Sequence, residues 1–286
     1  MREANLIKTV AALRVALAES RRTGARIGLV PTMGAFHEGH LSLMREARRE
    51  CDVVVVSVFV NPTQFNDASD LEAYPRDERR DLALAEQEGV DFVFAPSVAD
   101  MYPQGFATTV AVADLTESLE GAHRGRGHFD AVTTVVAKLL GIVGPDVAYF
   151  GQKDAQQAVV IRRMVTDLNI PVRVEVRPTV RETDGLALSS RNVRLSAEER
   201  RRATALHRAL ARARQLARGG EREAGAILAA ARPELDRASI DPEYFELVDA
   251  ETLAPVTRLN GRPALAVIAA RVGSTRLIDN EPLGGD

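Results

Sequence analysis

Apolar runs and helical segments alternate along the first 180 residues of the chain. The run VVVVSVFV, at residues 53–60, is apolar at almost every position, which is typical of a strand buried on both faces of a sheet. Shorter apolar runs predict strands at residues 27–30, 91–94, 147–150 and 172–176. Helical spacing predicts helices at residues 40–50, 77–88, 131–142 and 155–168. This order predicts an α/β fold, with a Rossmann-like, doubly wound parallel sheet covered by helices on both faces.

The pattern changes near residue 180. Arginine- and alanine-rich helices are predicted at residues 196–218 and 221–231, and short strands follow at residues 244–249, 264–272 and 275–280. We therefore predict two domains, with the parallel sheet in residues 1–180 and a smaller α+β fold in residues 181–286. The last six residues, EPLGGD, are expected to fray.

Composition then narrows the class of protein. The chain has 286 residues and a formal net charge of -3, which argues against a generally basic protein that coats nucleic acid. No apolar stretch approaches the roughly 18 residues needed to cross a bilayer, and the first residues are unlike a signal peptide. Cys51 is the single cysteine, which excludes an intrachain disulfide and fits a reducing compartment. We therefore expect a cytoplasmic protein with no membrane or nucleic-acid partner.

The stretch PTMGAFHEGH, residues 31–40, joins the first predicted strand to the first predicted helix. Gly34 permits a tight turn that brings the backbone close to a ligand, and the N–H groups of a helix N-terminus favour phosphate. His37 and His40 are three residues apart, so their imidazoles are able to face one point and donate hydrogen bonds. The alternative is that both histidines only cap the helix or lie on the surface. A zinc pair is disfavoured because HEGH lacks the H-E-x-x-H spacing.

Five stretches in one order resemble the pantothenate synthetase (pantoate–β-alanine ligase) family of the nucleotidylyltransferase superfamily. They are PTMGAFHEGHLSL from Pro31, SVFVNPTQF from Ser57, GHFDAVTTVVAKLL from Gly127, YFGQKDAQQAVVIRRMV from Tyr149 and GLALSSRN from Gly185. The resemblance extends from about residue 26 to the stretch TRLIDN near residue 280, and it therefore covers nearly the whole chain.

The resemblance implies a two-step, ATP-dependent condensation of pantoate with β-alanine. Pantoate's carboxylate attacks the α-phosphate of ATP, which gives pantoyl adenylate and pyrophosphate. The amine of β-alanine then attacks the activated carbonyl, which gives pantothenate and AMP. The resemblance further implies that Mg²⁺ accompanies the nucleotide, that the enzyme is a cytosolic homodimer, and that residues 1–180 bind nucleotide and pantoate. We expect residues 181–286 to act as a lid, because a labile adenylate needs shelter from water.

The resemblance also assigns the site residues. The catalytic ones are His40, His37, Lys153 and Arg191. The nucleotide-binding ones are Met33, Gly34, Ala35, Phe36, His37, Glu38, Gly39, His40, Gly151, Gln152, Lys153, Asp154, Val180, Leu188, Ser189, Ser190 and Arg191. Gln64 and Gln157 match the family's pantoate-binding glutamines, and no residue is assigned to a metal. Asn61 is a weaker candidate, for which the alternative is that it only shapes the turn before Pro62.

Three departures and two rival functions stay open at this point. Gln152 stands where the family usually has Glu, Leu188 stands where it usually has Met, and either Arg124 or Arg126 takes the place of a family arginine. One rival is a nucleotidylyltransferase that acts on another small substrate and shares only the phosphate motif. The other is a catalytically idle nucleotide sensor, which the intact histidine, lysine and arginine positions disfavour.

Overall fold

The computed structural model describes residues 4–284 of the chain. The chain divides into two compact units. The first unit runs up to Gly151 and includes Val160–Arg177, and the second comprises Gln152–Val159 and the chain from Pro178 onwards. The predicted boundary at residue 180 and the role of a lid stay predictions.

Six strands of the first unit form a sheet in which every neighbouring pair is parallel. They are β1 (Asn5–Ile7), β2 (Ile27–Thr32), β3 (Val53–Val58), β4 (Phe92–Phe94), β5 (Val147–Gly151) and β6 (Arg173–Arg177). Their order across the sheet is β1-β4-β3-β2-β5-β6, so the chain extends the sheet first on one side of β2 and then on the other. This topology confirms the predicted doubly wound sheet.

Helices cover both faces of this sheet. The helices between residues 10 and 167 are α1 (Val10–Arg22), α2 (Glu38–Glu50), α3 (Ala68–Glu72), α4 (Glu78–Gln87), α5 (Val98–Met101), α6 (Glu120–Arg124), α7 (Arg126–Val143) and α8 (Ala155–Asp167), the last of which begins in the second unit and continues into the first. Leu29 of β2 and Val55 of β3 pack with α1 and α7 on one face. Val30 and Val54, their neighbours in sequence, pack with α2 and α4 on the other. The strands are apolar throughout because both of their faces are covered.

The second unit is built on an antiparallel sheet with helices on it. Its elements are α9 (Ala197–Arg218), α10 (Ala224–Ala231), α11 (Pro233–Asp236), β7 (Pro242–Asp249), β8 (Ala264–Val272) and β9 (Thr275–Leu283). The strand order is β7-β8-β9. Leu206 and Leu210 of α9 share a core with Ile227 of α10 and Ile268 of β8. This arrangement confirms the predicted smaller α+β fold.

The ends of the chain differ from the sequence analysis in two ways, since one strand was not predicted and the expectation of fraying is wrong over part of the last segment. Asn5–Ile7 forms β1, where the sequence shows only helical spacing, because three residues are too few to establish a period and pairing with β4 decides their conformation. The end of the chain does not fray over residues 281–283, which pair with β8 and place Leu283 at 1% exposure. Gly285 and Asp286 lie outside the described residues. Among residues 4–284, none of the helices combines the length and the apolar character that a membrane span needs.

Candidate active site

The histidine loop, residues 33–40, follows β2 and leads into α2. Gly34 and Ala35 have φ angles of 80° and 52°, so two successive residues lie in the left-handed region. A Cβ on Gly34 would lie 2.9 Å from the Asp81 Oδ2 atom and 3.0 Å from the Val58 Cγ1 atom. Position 34 therefore requires glycine for two reasons, because its backbone angle is left-handed and because neighbouring atoms leave no room for a Cβ atom.

A buried carboxylate holds this loop in its strained conformation. Asp81 of α4 is 2% exposed, and its two oxygens accept hydrogen bonds from the backbone N–H groups of Ala35 and Phe36, both at 2.8 Å. Charge-assisted bonds of this kind are stronger than neutral ones. Sequence reasoning missed Asp81, and the available signal was an acid on the buried face of α4, one turn before the buried Ala85.

The two histidines cap α2 and face each other. His37 is the N-cap residue, and its Nδ1 accepts a hydrogen bond from the N–H of Gly39 at 3.2 Å. The N–H of His37 in turn points to the Nδ1 of His40 at 3.4 Å. The rings stack with their centroids 4.1 Å apart. The alternative that both histidines cap the helix is therefore correct for their structure. The capping also determines where each ring carries its proton. A neutral imidazole whose Nδ1 accepts carries its proton on Nε2, so each ring is a hydrogen-bond donor at Nε2.

Gln64 lies in a 3₁₀ turn, Pro62–Gln64, shortly after β3. Its Oε1 accepts from the Nδ2 of Asn61 at 3.2 Å, and its Nε2 points to the Sδ of Met33 at 3.2 Å. Asn61 is 1% exposed and also accepts a hydrogen bond from the hydroxyl of Tyr102 at 2.9 Å. Asn61 thus shapes the turn, and it also fixes which way the amide of Gln64 points.

The two arginines that compete for one family position lie in different surroundings. Arg124 ends α6, and its Nε donates to the buried Glu120 at 2.9 Å. Arg126 begins α7, and its side chain is 63% exposed with Glu117 at 3.8 Å. The choice between the two arginines stays open.

Lys153 lies in a 3₁₀ turn, Gln152–Asp154, which we call the lysine turn. The turn follows β5 and leads directly into α8, whose first turn carries Gln157. The Lys153 side chain is 21% exposed, and its Nζ lies 3.6 Å from the Asp154 carboxylate. The side-chain amide of Asn280 in β9 donates hydrogen bonds to two backbone carbonyls of the lysine turn. Sequence reasoning did not single out Asn280.

The remaining predicted residues form a hairpin and a short turn in the second unit. The N–H of Leu188 donates to the carbonyl of Val180 at 3.0 Å, with the bend at Gly185, whose φ is 90°. Ser189 caps the 3₁₀ turn Ser190–Arg194, because its hydroxyl accepts from the N–H of Arg191 at 3.2 Å. The hydroxyl of Ser189 therefore has a capping role in the local structure.

Each unit thus brings together part of the predicted site. In the first unit, His37 lies against His40, and Met33 contacts Gln64. In the second unit, Val180 is bonded to Leu188, and Lys153 lies beside Asp154. Across the part of the chain that the structure describes, no group of three or more His, Cys, Asp or Glu side chains has the arrangement of a metal site.

The comparisons with known proteins agree over nearly the full length. The family model described as pantoate-beta-alanine ligase matches residues 5–282. The pantothenate synthetase of Moorella thermoacetica is 56% identical over 278 residues, which cover 96% of this chain and 97% of that protein. The crystal structure of pantothenate synthetase from Thermus thermophilus superposes with a TM-score of 0.91 at 48% identity, over 98% of this chain and 100% of that one. The pantoate-beta-alanine ligase of Francisella tularensis, whose crystal contains beta-gamma ATP and beta-alanine, is 33% identical with a TM-score of 0.78, over 97% of both chains.

Proposed function

The chain belongs to the pantoate–β-alanine ligase family and is a ligase, and from this premise we propose that it condenses pantoate with β-alanine through a pantoyl adenylate. In the first step a carboxylate oxygen of pantoate bonds to the α-phosphorus of ATP, and the bond to the bridging oxygen of pyrophosphate breaks. In the second step the nitrogen of β-alanine bonds to the activated carbonyl carbon. The carbon–oxygen bond to AMP then breaks, and the nitrogen loses a proton.

The observation that carries this proposal is the pair of histidines, His37 and His40, that cap the N-terminus of α2. Both rings use Nδ1 as an acceptor toward the backbone, which makes Nε2 the donor in each neutral ring. The helix N-terminus adds a partial positive charge at the same place. Negative charge grows on the α-phosphate and on the departing pyrophosphate, and fixed donors stabilise it best because they need no reorganisation. We assign His40 to donate to the departing phosphate and His37 to hold the triphosphate beside it.

Two cationic side chains of the second unit complete the proposed charge stabilisation. Lys153 is a point charge on a short turn, and we assign it to the phosphates of ATP. Arg191 has a planar fork of donors suited to two phosphate oxygens at once, and it is the second residue of the turn capped by Ser189. The remaining nucleotide-binding residues are proposed on the resemblance alone.

Gln64 and Gln157 are proposed to bind pantoate. A neutral amide both donates and accepts, which suits a substrate that carries hydroxyls and a carboxylate. Asn61 and Met33 hold the Gln64 amide in one orientation, with its NH₂ group on the side of the histidine loop. This orientation favours donation to a carboxylate held near that loop.

We also propose that Mg²⁺ arrives bound to the phosphates of ATP, that the enzyme acts in the cytoplasm as a homodimer, and that residues 181–286 act as a lid. Mg²⁺ usually keeps several waters and is held by substrate phosphates and one or two carboxylates, so it needs no cluster of protein ligands. When bound, it neutralises part of the phosphate charge. Support for the dimer and the compartment comes from the family resemblance.

The decisive experiment uses pantoate labelled with heavy oxygen in its carboxylate. Incubation with ATP, Mg²⁺ and β-alanine should give AMP and pantothenate in equal amounts, and mass spectrometry should find one labelled oxygen in AMP. Formation of ADP and phosphate would instead indicate an acyl phosphate route. Accumulation of a stable nucleotidyl product would favour the rival transferase, and failure to release pyrophosphate with pantoate would favour the idle sensor.

A further inference from the structure

Asn280 of β9 uses its side-chain amide entirely on the lysine turn. It is 3% exposed, and its Nδ2 donates to the backbone carbonyl of Gln152 at 2.9 Å and to that of Lys153 at 3.0 Å. Its Oδ1 accepts from the Nε2 of Gln152, also at 2.9 Å. Three hydrogen bonds therefore join one buried side chain to two successive residues of a three-residue turn.

The hydrogen-bond pattern settles the orientation of both amides. The two backbone carbonyls only accept, so the group of Asn280 that faces them is the NH₂. Its oxygen then faces Gln152, which has to supply an N–H. A carboxylate at position 280 would place negative oxygens against two carbonyls, and a carboxylate at position 152 would face the Oδ1 of Asn280. Neither interaction would be favourable in a buried place.

The neighbours of Asn280 hold this part of β9 in register. Arg181 donates to both oxygens of Asp279, at 2.6 Å and 3.1 Å, and to the backbone carbonyl of Asn280 at 3.3 Å. Arg214 is paired with Glu281 on the other side. Asp279 and Glu281 are buried, and each has an arginine partner. Asn280 is the uncharged member of this buried triplet, and it is the one that bonds to the lysine turn.

We propose that Asn280 is a positioning residue for Lys153 and that Gln152, in its uncharged form, completes the arrangement. Fixing the carbonyls on either side of the Lys153 Cα atom fixes the direction in which its side chain leaves the backbone. This inference rests on the proposed role of Lys153 at the phosphates of ATP. It gives a physical reason for Gln152, where the family resemblance leads one to expect Glu, because only the amide donates to Asn280.

The test is a double-mutant cycle of Asn280→Asp and Lys153→Ala, with pyrophosphate release from ATP and pantoate as the readout. Asn280→Asp keeps the size of the side chain but removes both donors. We expect it to slow pyrophosphate release by about 10- to 100-fold at sub-saturating ATP, by analogy with the effect of losing a residue that orients a metal ligand. In the Lys153→Ala background the same change should add less than about threefold, because a residue that acts through Lys153 has nothing left to position.

Two controls separate a positioning role from a structural one. Asn260→Asp makes the same chemical change at an exposed turn, where the side chain accepts from the N–H of Arg262 and Asp accepts equally well, so activity should stay at the wild-type level. Thermal unfolding of every variant reports loss of the fold. If Asn280→Asp does not fold, Gln152→Ala takes the place of Asn280→Asp in the same cycle. This variant removes only the hydrogen bond from Gln152 to Asn280, so a smaller loss of activity is expected.

The outcomes of the cycle are distinct. If Lys153→Ala leaves pyrophosphate release unchanged, the proposed role of Lys153 is wrong, and the error lies in the proposed function. If Lys153→Ala is strongly impaired and the second change multiplies that loss in full, Asn280 acts independently of Lys153, and the inference is overturned. If Asn280→Asp alone slows pyrophosphate release but adds almost nothing in the Lys153→Ala background, Asn280 acts through Lys153, whereas wild-type activity in Asn280→Asp alone overturns the inference.

Discussion

The histidine loop and the lysine turn both follow a strand of the parallel sheet and both lead into a helix, but they are held by opposite chemistry. The histidine loop turns two backbone N–H groups toward a neighbouring helix, and the carboxylate of Asp81 accepts both of them. The lysine turn presents two carbonyls, and the NH₂ of Asn280 donates to both. In each case the side chain that holds the segment is buried. It supplies acceptors where the backbone presents N–H groups and donors where the backbone presents carbonyls.

This contrast shows that exchanging one oxygen for one NH₂ group is a large change at these places, even though the shape of the side chain is kept. Asp81→Asn would put a donor against a donor, and Asn280→Asp would put acceptors against acceptors. A buried group that loses its partner costs more than the lost bond alone. Variants of this kind, together with those of Gln64 and His40, test the comparison from its largest expected effect to its smallest.

The largest effect is expected at Gln64, which bonds to Met33 at the start of the histidine loop. Gln64→Glu replaces the NH₂ group by an oxygen and, if Gln64 binds pantoate as proposed, places a charge near pantoate's carboxylate. Two unit charges about 4 Å apart repel by roughly 4 kcal/mol at an effective dielectric of about 20. That upper-end repulsion corresponds to a loss of about three orders of magnitude in pantoate affinity.

Calorimetric titration with pantoate measures this loss. Gln64→Leu is the control, because it deletes hydrogen bonds without adding repulsion and should lose less affinity. ATP binding alone should be nearly unchanged in both variants. Wild-type pantoate affinity in Gln64→Glu would show that Gln64 does not contact pantoate.

The next effect is expected in the chemical step. His40→Ala should slow pyrophosphate release by about 10²-fold or more, because one donor to a developing charge is lost. His40→Asn separates chemistry from capping, since its Oδ1 keeps an acceptor for the helix N-terminus while the Nε2 donor is gone. Rapid-quench assays of pyrophosphate should find both variants slow, and thermal unfolding should find the asparagine variant the more stable of the two. A fast His40→Asn variant would show that the acceptor toward the backbone, and not the donor toward phosphate, is what matters.

A moderate effect is expected for the carboxylate that holds the histidine loop. Asp81→Asn should lower the free energy of unfolding by about 1–3 kcal/mol, because its NH₂ group would face a backbone N–H in a buried place. Asp77→Asn is the matched control on the same helix, since Asp77 caps α4 from an exposed position and Asn caps a helix as well as Asp does. Denaturant titration should therefore separate the two variants. Equal stabilities would mean that the loop does not depend on the charge of Asp81.

The smallest effect is expected at Ala35, the non-glycine residue of the histidine loop with a left-handed backbone angle. Ala35→Gly relieves a left-handed backbone angle but adds freedom to the unfolded chain, so the free energy of unfolding should change by less than about 1 kcal/mol. Gly34→Ala should be clearly destabilising, because its Cβ would lie 2.9 Å from the Asp81 carboxylate. Denaturant titrations of the two variants give the comparison. If Gly34→Ala is tolerated as well as Ala35→Gly, the Asp81 contact is not holding the loop in place.

The sequence alone predicted those features that depend on residues close to one another along the chain. Apolar runs located the strands of the parallel sheet because both faces of each strand are buried, and the histidine loop was recognisable because its glycines, histidines and helix start lie within ten residues. The strand β1 escaped prediction because only its pairing with β4 makes it a strand.

The residues that hold the two site segments were not predictable, for a related reason. Asp81 lies 46 residues from Ala35, and Asn280 lies 127 residues from Lys153, so neither pairing leaves a local pattern. What the sequence did show was an anomaly at Gln152, where the resemblance leads one to expect a charged residue. The contact with Asn280 gives this anomaly a physical meaning.

The second unit is discontinuous in sequence, since it takes Gln152–Val159 from the middle of the chain and the rest from Pro178 onwards. A fragment that starts at Pro178 would contain all three antiparallel strands and yet leave the amide of Asn280 with no carbonyl to bond. The same contact would be at risk in a chimaera made by exchanging segments between two related proteins. A chimaera joined at residue 178 would combine Asn280 from one parent with the residue at position 152 from the other, so the two positions should be inherited together wherever an amide pair connects them.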